Sequence, residues 1–143
     1  MNRAEGDACR AWQLLMKFFF AQRGHLASRG AEFDLSPIQC HVLHLIEPGR
    51  PVPMSRLAET LSCDASNVTG LVDRLESRGL VRRQLSPRDR RVKVLHLTPT
   101  GTRLRAQLLR QMTGGSLPLS RLSRDQQRTL VKILEALVDE KST

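Results

Sequence analysis

The stretch that decides the fold is MSRLAETLSCDASNVTGLVDRLESRG, residues 54–79. Its first part carries a helical stripe of apolar residues at Met54, Leu57, Ala58 and Leu61. Its second part carries another stripe at Ala65, Val68, Leu71, Val72 and Leu75. Asp64 occupies the N-cap position of the second helix, and Gly79 stands where a left-handed residue commonly ends one. The stretch therefore predicts two short helices separated by a tight turn, a helix-turn-helix.

A β-hairpin is predicted directly after the second helix. Residues 80–85 and 92–97 are rich in apolar and β-branched side chains, and they flank the polar segment SPRDRR, residues 86–91. Two such runs on either side of a polar segment that contains proline indicate a two-stranded hairpin, here with a basic tip. We call this hairpin the wing.

Further helices are predicted on both sides of this unit. Along residues 7–30 apolar residues recur at spacings of three and four, at Trp12, Leu15, Met16, Phe19 and Phe20. That stripe is larger than a small domain covers by itself, so we expect part of it to meet another subunit. Capping patterns predict three more helices, which begin after Ser36, Thr98 and Ser123. The first of them is expected to end at about Glu47 and the second at Gly114-Gly115.

The charge of the chain points to a polyanionic partner. The formal net charge is +9, and the segment 73–110 alone contains eleven basic and three acidic residues. A membrane partner is excluded because no stretch approaches the roughly 18 apolar residues of a spanning helix and no basic amphipathic surface helix is present. Tyrosine is absent and aromatic residues make up 3% of the chain. Because recognition of RNA or single strands relies on aromatic stacking, duplex DNA is the favoured partner.

Candidate DNA-binding residues lie on the second helix of the helix-turn-helix and on the wing. Short polar residues that can approach base edges in the major groove are Ser66, Asn67, Thr69 and Gly70, and residues that can reach phosphates are Arg74 and Arg78. On the wing, Asp89 is expected to steady the guanidinium of Arg91 as it enters the minor groove, while Arg88 and Arg90 contact the backbone. The alternatives are a solvated helix face and a wing that supplies nonspecific charge.

The chain resembles the MarR family of winged helix-turn-helix regulators. The resemblance rests on Leu57-Ala58-Glu59, on residues 64–75 and 78–81, and above all on the spacing from Asp89-Arg90-Arg91 to Leu97-Thr98-Pro99-Thr100-Gly101. This spacing is similar to the family pattern D-x-R followed by L-T-x-x-G. The resemblance covers essentially the whole chain. It implies a homodimer with intertwined terminal helices, two winged lobes on a pseudo-palindromic operator, and repression relieved by a small ligand or by oxidation.

The predicted fold is mainly α (α+β), a winged helix-turn-helix with a two-stranded β wing plus N- and C-terminal dimerisation helices. The expected divisions are an N-terminal dimerisation helix in residues 1–34, a DNA-binding domain in residues 35–101 and C-terminal dimerisation helices in residues 102–143. The predicted function is that of a sequence-specific regulator of transcription, a ligand-responsive repressor. Because the N-terminus lacks the apolar core of a secretory signal, we expect the protein in the cytoplasm, associated with the nucleoid.

Other functions receive less support from the sequence. The resemblance implies a phenolic or other aromatic effector, for which the candidate residues are Trp12, Met16, His41 and Leu45. Redox sensing through a cysteine is a second hypothesis, with Cys9, Cys40 and Cys63 as candidates, although family members that sense oxidation use tyrosines that this chain lacks. A third is a winged-helix protein-interaction module, which would not need the wing arginines. His41 and His44 do not complete a metal site, and no catalytic motif or cofactor is indicated, so we do not expect an enzyme.

Overall fold

The computed structural model describes residues 3–113 and 118–139, which form six α-helices and a small antiparallel sheet. The elements in chain order are α1 (Arg3–Ala31), α2 (Pro37–Leu45), β1 (Val52–Pro53), α3 (Met54–Leu61), α4 (Ala65–Ser77), β2 (Val81–Leu85), β3 (Lys93–Leu97), α5 (Pro99–Thr113), a 3₁₀ turn (Pro118–Arg121) and α6 (Arg124–Asp139). The mainly helical winged fold is confirmed. The predicted end of α5 at Gly114-Gly115 lies outside the described residues.

Two helices begin with reciprocal capping boxes, as predicted. In α2 the Gln39 amide donates to Ser36 Oγ at 3.3 Å, and the Ser36 amide donates to Gln39 Oε1 at 2.8 Å. Ser123 and Gln126 repeat this arrangement at the start of α6, at 3.3 and 2.9 Å. Each box satisfies two backbone donors that the first helical turn leaves without partners. The far end of α2 is corrected, because the helix stops at Leu45, before the predicted Glu47.

The helix-turn-helix consists of α3 and α4. Its turn passes through Ser62, which has a left-handed backbone with φ 50°. A Schellman motif ends α4: the Leu80 amide donates to the Leu75 carbonyl at 3.0 Å, and Gly79 takes φ +69°. The left-handed role predicted for Gly79 is therefore confirmed. Asp64 has the extended backbone of an N-cap, but its side chain makes no capping hydrogen bond, which corrects that part of the prediction.

The wing hairpin is confirmed as β2 and β3, with Val81 opposite Leu97 and Leu85 opposite Lys93. A third strand, β1, pairs with the other edge of β3, so the sheet order is β1-β3-β2 instead of the predicted two strands. β1 has only two residues, one of them Pro53, and so shows no alternation in the sequence. Proline is tolerated in an edge strand such as β1, because the side on which its N–H is missing needs no strand partner.

The hydrophobic core lies where α2, α3 and α4 pack against the sheet. Its fully buried side chains are Val42, Leu43, Ile46, Leu57, Val68, Val72, Leu75, Val81 and Leu95. The chain divides into two compact units, Met1–Leu108 and Leu109–Thr143, and this core belongs to the first. In the second unit, Gln127 Nε2 donates to the carbonyls of Leu119 and Leu122 at 3.1 Å, which ties the 3₁₀ turn to α6.

Candidate nucleic-acid interface

The solvent-facing side of α4 carries short polar side chains. Val68, Val72 and Leu75 are buried in the core, whereas Ser66, Asn67, Thr69 and Arg74 are exposed and Gly70 is half-buried. Thr69 Oγ1 donates to the Ala65 carbonyl at 2.9 Å, which uses the hydroxyl proton and leaves the oxygen as an acceptor. A helix whose exposed first turns carry small polar groups can come close to base edges in a major groove.

The guanidinium of Arg78, the C-cap residue of α4, contacts the protein backbone. Its Nη1 donates to the carbonyl of Asp34 at 2.6 Å, and its Nη2 donates to the carbonyl of Phe33 at 2.7 Å. Both acceptors lie in the corner between α1 and α2, more than 40 residues away in sequence. The sequence assigns Arg78 to phosphate contact, but in the structure its guanidinium holds the protein backbone.

An ion-pair cluster joins α4 to the first strand of the wing. Arg83 Nη2 bridges Asp73 and Glu76, with the Glu76 oxygen at 2.9 Å, and the Arg83 amide donates to the other Glu76 oxygen at 2.9 Å. The side-chain hydrogen bond from Arg83 lowers the pKa of Glu76, and the backbone hydrogen bond lowers it further. The same contacts with Glu76 and then Asp73 raise the pKa of Arg83. Sequence reasoning missed this cluster, although two acids three residues apart before a basic strand are a usable signal.

Changing Glu76 to glutamine is expected to lower the free energy of unfolding by about 1 kcal/mol at neutral pH, because a partly exposed pair is screened by solvent. The pKa of Glu76 is depressed in the folded protein, so its contribution is complete above its ordinary pKa of 4.5 and disappears as the pH falls through the lower folded value. Urea unfolding from pH 3 to 7 measures this difference, and Glu59→Gln, an exposed carboxylate on α3, is the matched control. A difference that persisted unchanged at pH 3 would contradict the assignment.

The tip of the wing presents three exposed arginines, Arg88, Arg90 and Arg91, on an ordered turn. Asp89 Oδ1 accepts a hydrogen bond from the Arg91 amide at 3.0 Å, and the Asp89 carbonyl accepts one from the Val92 amide at 3.0 Å. The Asp89 carboxylate therefore binds the backbone amide of Arg91, whereas the sequence predicted that it would contact the Arg91 guanidinium. Across the described residues, no ion pair involves the three tip arginines.

The residues predicted to bind an effector lie on α1 and α2. Trp12 is exposed and Met16 half-buried on α1, while His41 is exposed on α2. Leu45, at the end of α2, lines an open cleft of about 480 Å³ with residues of the α2–α3 connection, such as Arg50 and Pro53, and of α3, such as Arg56. The effector site therefore stays a prediction.

The three cysteines differ in environment. Cys9 is exposed on α1, where Gln13 Nε2 donates to its sulfur at 3.8 Å. Burial raises the pKa of Cys40, which disfavours the reactive thiolate, and Cys63 Sγ donates to the Leu61 carbonyl at 3.3 Å.

Within residues 3–113 and 118–139, the histidines do not form a metal site with acidic or thiol groups. Burial lowers the pKa of His44, and the nearby charges of Arg105 and His41 lower it further. In the part of the chain that the structure describes, no group of three or more His, Cys, Asp or Glu side chains could hold a metal ion.

Comparisons with known proteins indicate the MarR family and HTH-type transcriptional regulators. A sequence profile described as the MarR family matches residues 35–93. An uncharacterized HTH-type transcriptional regulator of Bacillus subtilis (strain 168), YfiV, is 33% identical over 103 residues, covering 72% of this chain and 64% of that protein. The chain spans less than two thirds of the length of the curated relatives it matches.

Solved structures are similar over nearly the whole chain. The transcriptional regulator BldR from Sulfolobus solfataricus has a TM-score of 0.79 at 24% identity, covering 98% of this chain and 99% of that one. A mutant MarR from E. coli, solved in complex with operator DNA, has a TM-score of 0.70 at 25% identity, covering 92% of this chain and 95% of that one. The similarity to BldR supports the fold. The similarity to the mutant MarR adds a structure of this fold that was solved with bound operator DNA.

Proposed function

Because the chain belongs to the MarR family of winged helix-turn-helix regulators, we propose that it binds double-stranded DNA and regulates transcription without being an enzyme. The observation that carries the proposal is the set of exposed wing arginines, which have no carboxylate partner among the described residues, next in the chain to a helix that exposes Ser66, Asn67 and Thr69. In this proposal α4 enters the major groove and Arg91 enters the adjacent minor groove. No helix of the described residues is long and apolar enough to cross a membrane.

The proposed assembly is a homodimer. Large apolar side chains stay exposed on α1 (Trp12, Leu14, Leu15, Phe18, Phe19 and Phe20) and on α6 (Val131, Ile133, Leu134, Leu137 and Val138). On each of the two helices, exposed apolar surface of this extent marks an interaction site. We propose that a second copy of this chain covers these apolar surfaces. A two-fold dimer would place two α4 helices about one DNA turn apart, roughly 34 Å, on a pseudo-palindromic operator.

We propose that the protein represses transcription on the nucleoid, in the cytoplasm. A small aromatic or phenolic ligand relieves this repression. Such a ligand would act only through its different affinities for the DNA-competent and DNA-incompetent dimers. The candidate effector residues Trp12, Met16, His41 and Leu45 share α1 and α2, and α1 also carries the proposed dimer surface. A ligand bound there would alter the separation of the two lobes.

The test is a titration of fluorescent duplexes from the DNA that flanks the gene, at several salt concentrations. We expect affinity for one fragment to exceed that for scrambled duplex, RNA or single strands of equal length, and to fall steeply with salt as phosphate contacts release counterions. A protein that bound no duplex at low ionic strength, or bound only single strands, would refute the proposal. A ligand panel in thermal-melting assays, scored by loss of operator binding, tests the effector.

The carboxylate at the wing tip gives a prediction in which geometry and charge oppose each other. Asp89→Ala removes a negative charge, which alone would strengthen DNA binding, but it also removes the acceptor that fixes the Arg91 amide. We expect geometry to dominate, with affinity falling about fivefold, roughly 1 kcal/mol. Asp89→Asn keeps an acceptor oxygen without the charge and should bind at least as tightly as the wild type. Anisotropy titrations decide, and tighter binding by the alanine variant would show that the turn contributes nothing.

A further inference from the structure

Arg78 links the recognition helix to the end of the N-terminal helix. It is the C-cap residue of α4, and its two terminal nitrogens donate to consecutive carbonyls, Phe33 at 2.7 Å and Asp34 at 2.6 Å. The planar fork of a guanidinium suits two adjacent acceptors in a way that a lysine ammonium does not. These contacts connect segments separated by 44 and 45 residues.

The corner that accepts these hydrogen bonds is tightly built. The amides of Phe33 and Leu35 both donate to the Gly30 carbonyl, at 3.0 and 2.8 Å, and Asp34 adopts a left-handed backbone with φ 56°. Gly30 is buried, and a Cβ on it would stand 2.4 Å from the Leu35 carbonyl oxygen. Leu35 itself is buried in the core. Because these hydrogen bonds fix the corner to the last turn of α1, a side chain that is bound to the corner follows the position of α1.

We propose that Arg78 is a positioning residue that sets the orientation of α4 from the end of α1, and that it does not bind DNA phosphate. This inference rests on the proposed function, since α1 carries the proposed dimer surface and α4 the proposed base contacts. The helix C-terminus favours a cation at this place because the last carbonyls carry partial negative charge. In the proposed dimer, a shift of α1 would therefore move the recognition helix α4 through the Arg78 side chain.

The salt dependence of DNA binding separates positioning from phosphate contact. Removing one phosphate contact lowers the slope of log affinity against log salt by about 0.9, whereas removing a positioning contact lowers the affinity and leaves the slope unchanged. The variants are Arg78→Gln and Arg78→Lys, with Arg74→Gln as the matched control. Arg74 is exposed one turn earlier on α4 and is assigned here to phosphate.

We expect Arg78→Gln to weaken binding about tenfold at every salt concentration, the loss typical of one hydrogen bond to a charged group. Arg78→Lys should bind no better than the glutamine variant, because it keeps the charge and loses the fork. Arg74→Gln should lower the slope by about 0.9. A lower slope in Arg78→Gln, full recovery in Arg78→Lys, or unchanged affinity in both variants would overturn the inference.

A measurement without DNA keeps this inference separate from the proposed function. Amide hydrogen exchange at Phe33 and Leu35 should accelerate in both Arg78 variants, while helix content by circular dichroism stays that of the wild type. Wild-type protein that binds no duplex would refute the proposed function alone. Unchanged exchange in the corner would refute the anchoring role of Arg78 whatever the result with DNA. If Arg78→Gln does not fold, Arg78→Lys is compared with the wild type in both the DNA titrations and the hydrogen-exchange measurement.

Discussion

Replacing Phe19 with aspartate is expected to convert the protein to a monomer and to lower its affinity for a duplex with two half-sites by more than about a hundredfold. Phe19 lies within the apolar surface of α1 and is 52% exposed in the single chain. A carboxylate there would be buried without a partner in the proposed dimer, and such a charge typically costs about 3–5 kcal/mol. A two-fold interface repeats the substitution, so the cost applies twice.

The matched control is Ser28→Asp, on the same helix. It adds the same charge at an exposed position about 180° around the helix from Phe19 and beyond the last of the large exposed apolar residues, Phe20. Sedimentation measures the oligomeric state, and circular dichroism checks that both variants keep their helices. The monomer should retain weak, salt-sensitive binding to a single half-site, because α4 and the wing are unchanged. A Phe19→Asp protein that remained a dimer with full affinity would contradict the proposed interface.

Local sequence signals predicted the elements that present the site. The capping boxes at Ser36 and Ser123, the left-handed Gly79 and the hairpin around residues 86–91 depend on residues only a few positions apart. Such interactions can be read from spacing because the backbone fixes which neighbours can meet. The exposed polar face of α4 follows in the same way, since its opposite face is marked by apolar residues.

The partners of individual charged side chains could not be predicted in this way. By charge, Arg78, Arg83 and Arg105 belong to one basic segment, yet each of them contacts its own protein. Arg78 holds the α1–α2 corner, Arg83 holds two acids of α4, and Arg105 Nη2 donates to the His44 carbonyl at 3.3 Å. These contacts depend on tertiary placement, so composition overestimates the charge available to DNA.

The short strand β1 escaped prediction for a related reason. Val52 pairs with Leu95 and Pro53 with Val94, more than 40 residues away, and two residues are too few to show a period. β1 pairs with the edge of β3 that the β2–β3 hairpin leaves open. No local signal therefore predicts that these two residues join the sheet.

Arg91→Ala is expected to lower operator affinity about 30-fold, roughly 2 kcal/mol, while the protein remains a dimer. The Arg91 side chain is exposed at the wing tip, and the Asp89 carboxylate orders its backbone, so little backbone freedom remains to be lost on binding. An arginine in a narrow minor groove responds to its enhanced negative potential, which A·T-rich sequence creates. The loss should therefore be largest on duplexes with A·T-rich flanks.

Two controls separate this role from general charge. Arg50→Ala removes the same unit charge from an exposed arginine in the same structural unit, where it pairs with Glu47 at 3.1 Å, and should change affinity less than about twofold. Arg91→Lys keeps the charge but loses the weakly hydrated planar group that favours a narrow groove, so it should recover only part of the affinity. Anisotropy titrations on A·T-rich and G·C-rich flanks measure both effects. Equal losses for Arg50→Ala and Arg91→Ala would mean that the wing supplies only nonspecific charge, because position would then not matter.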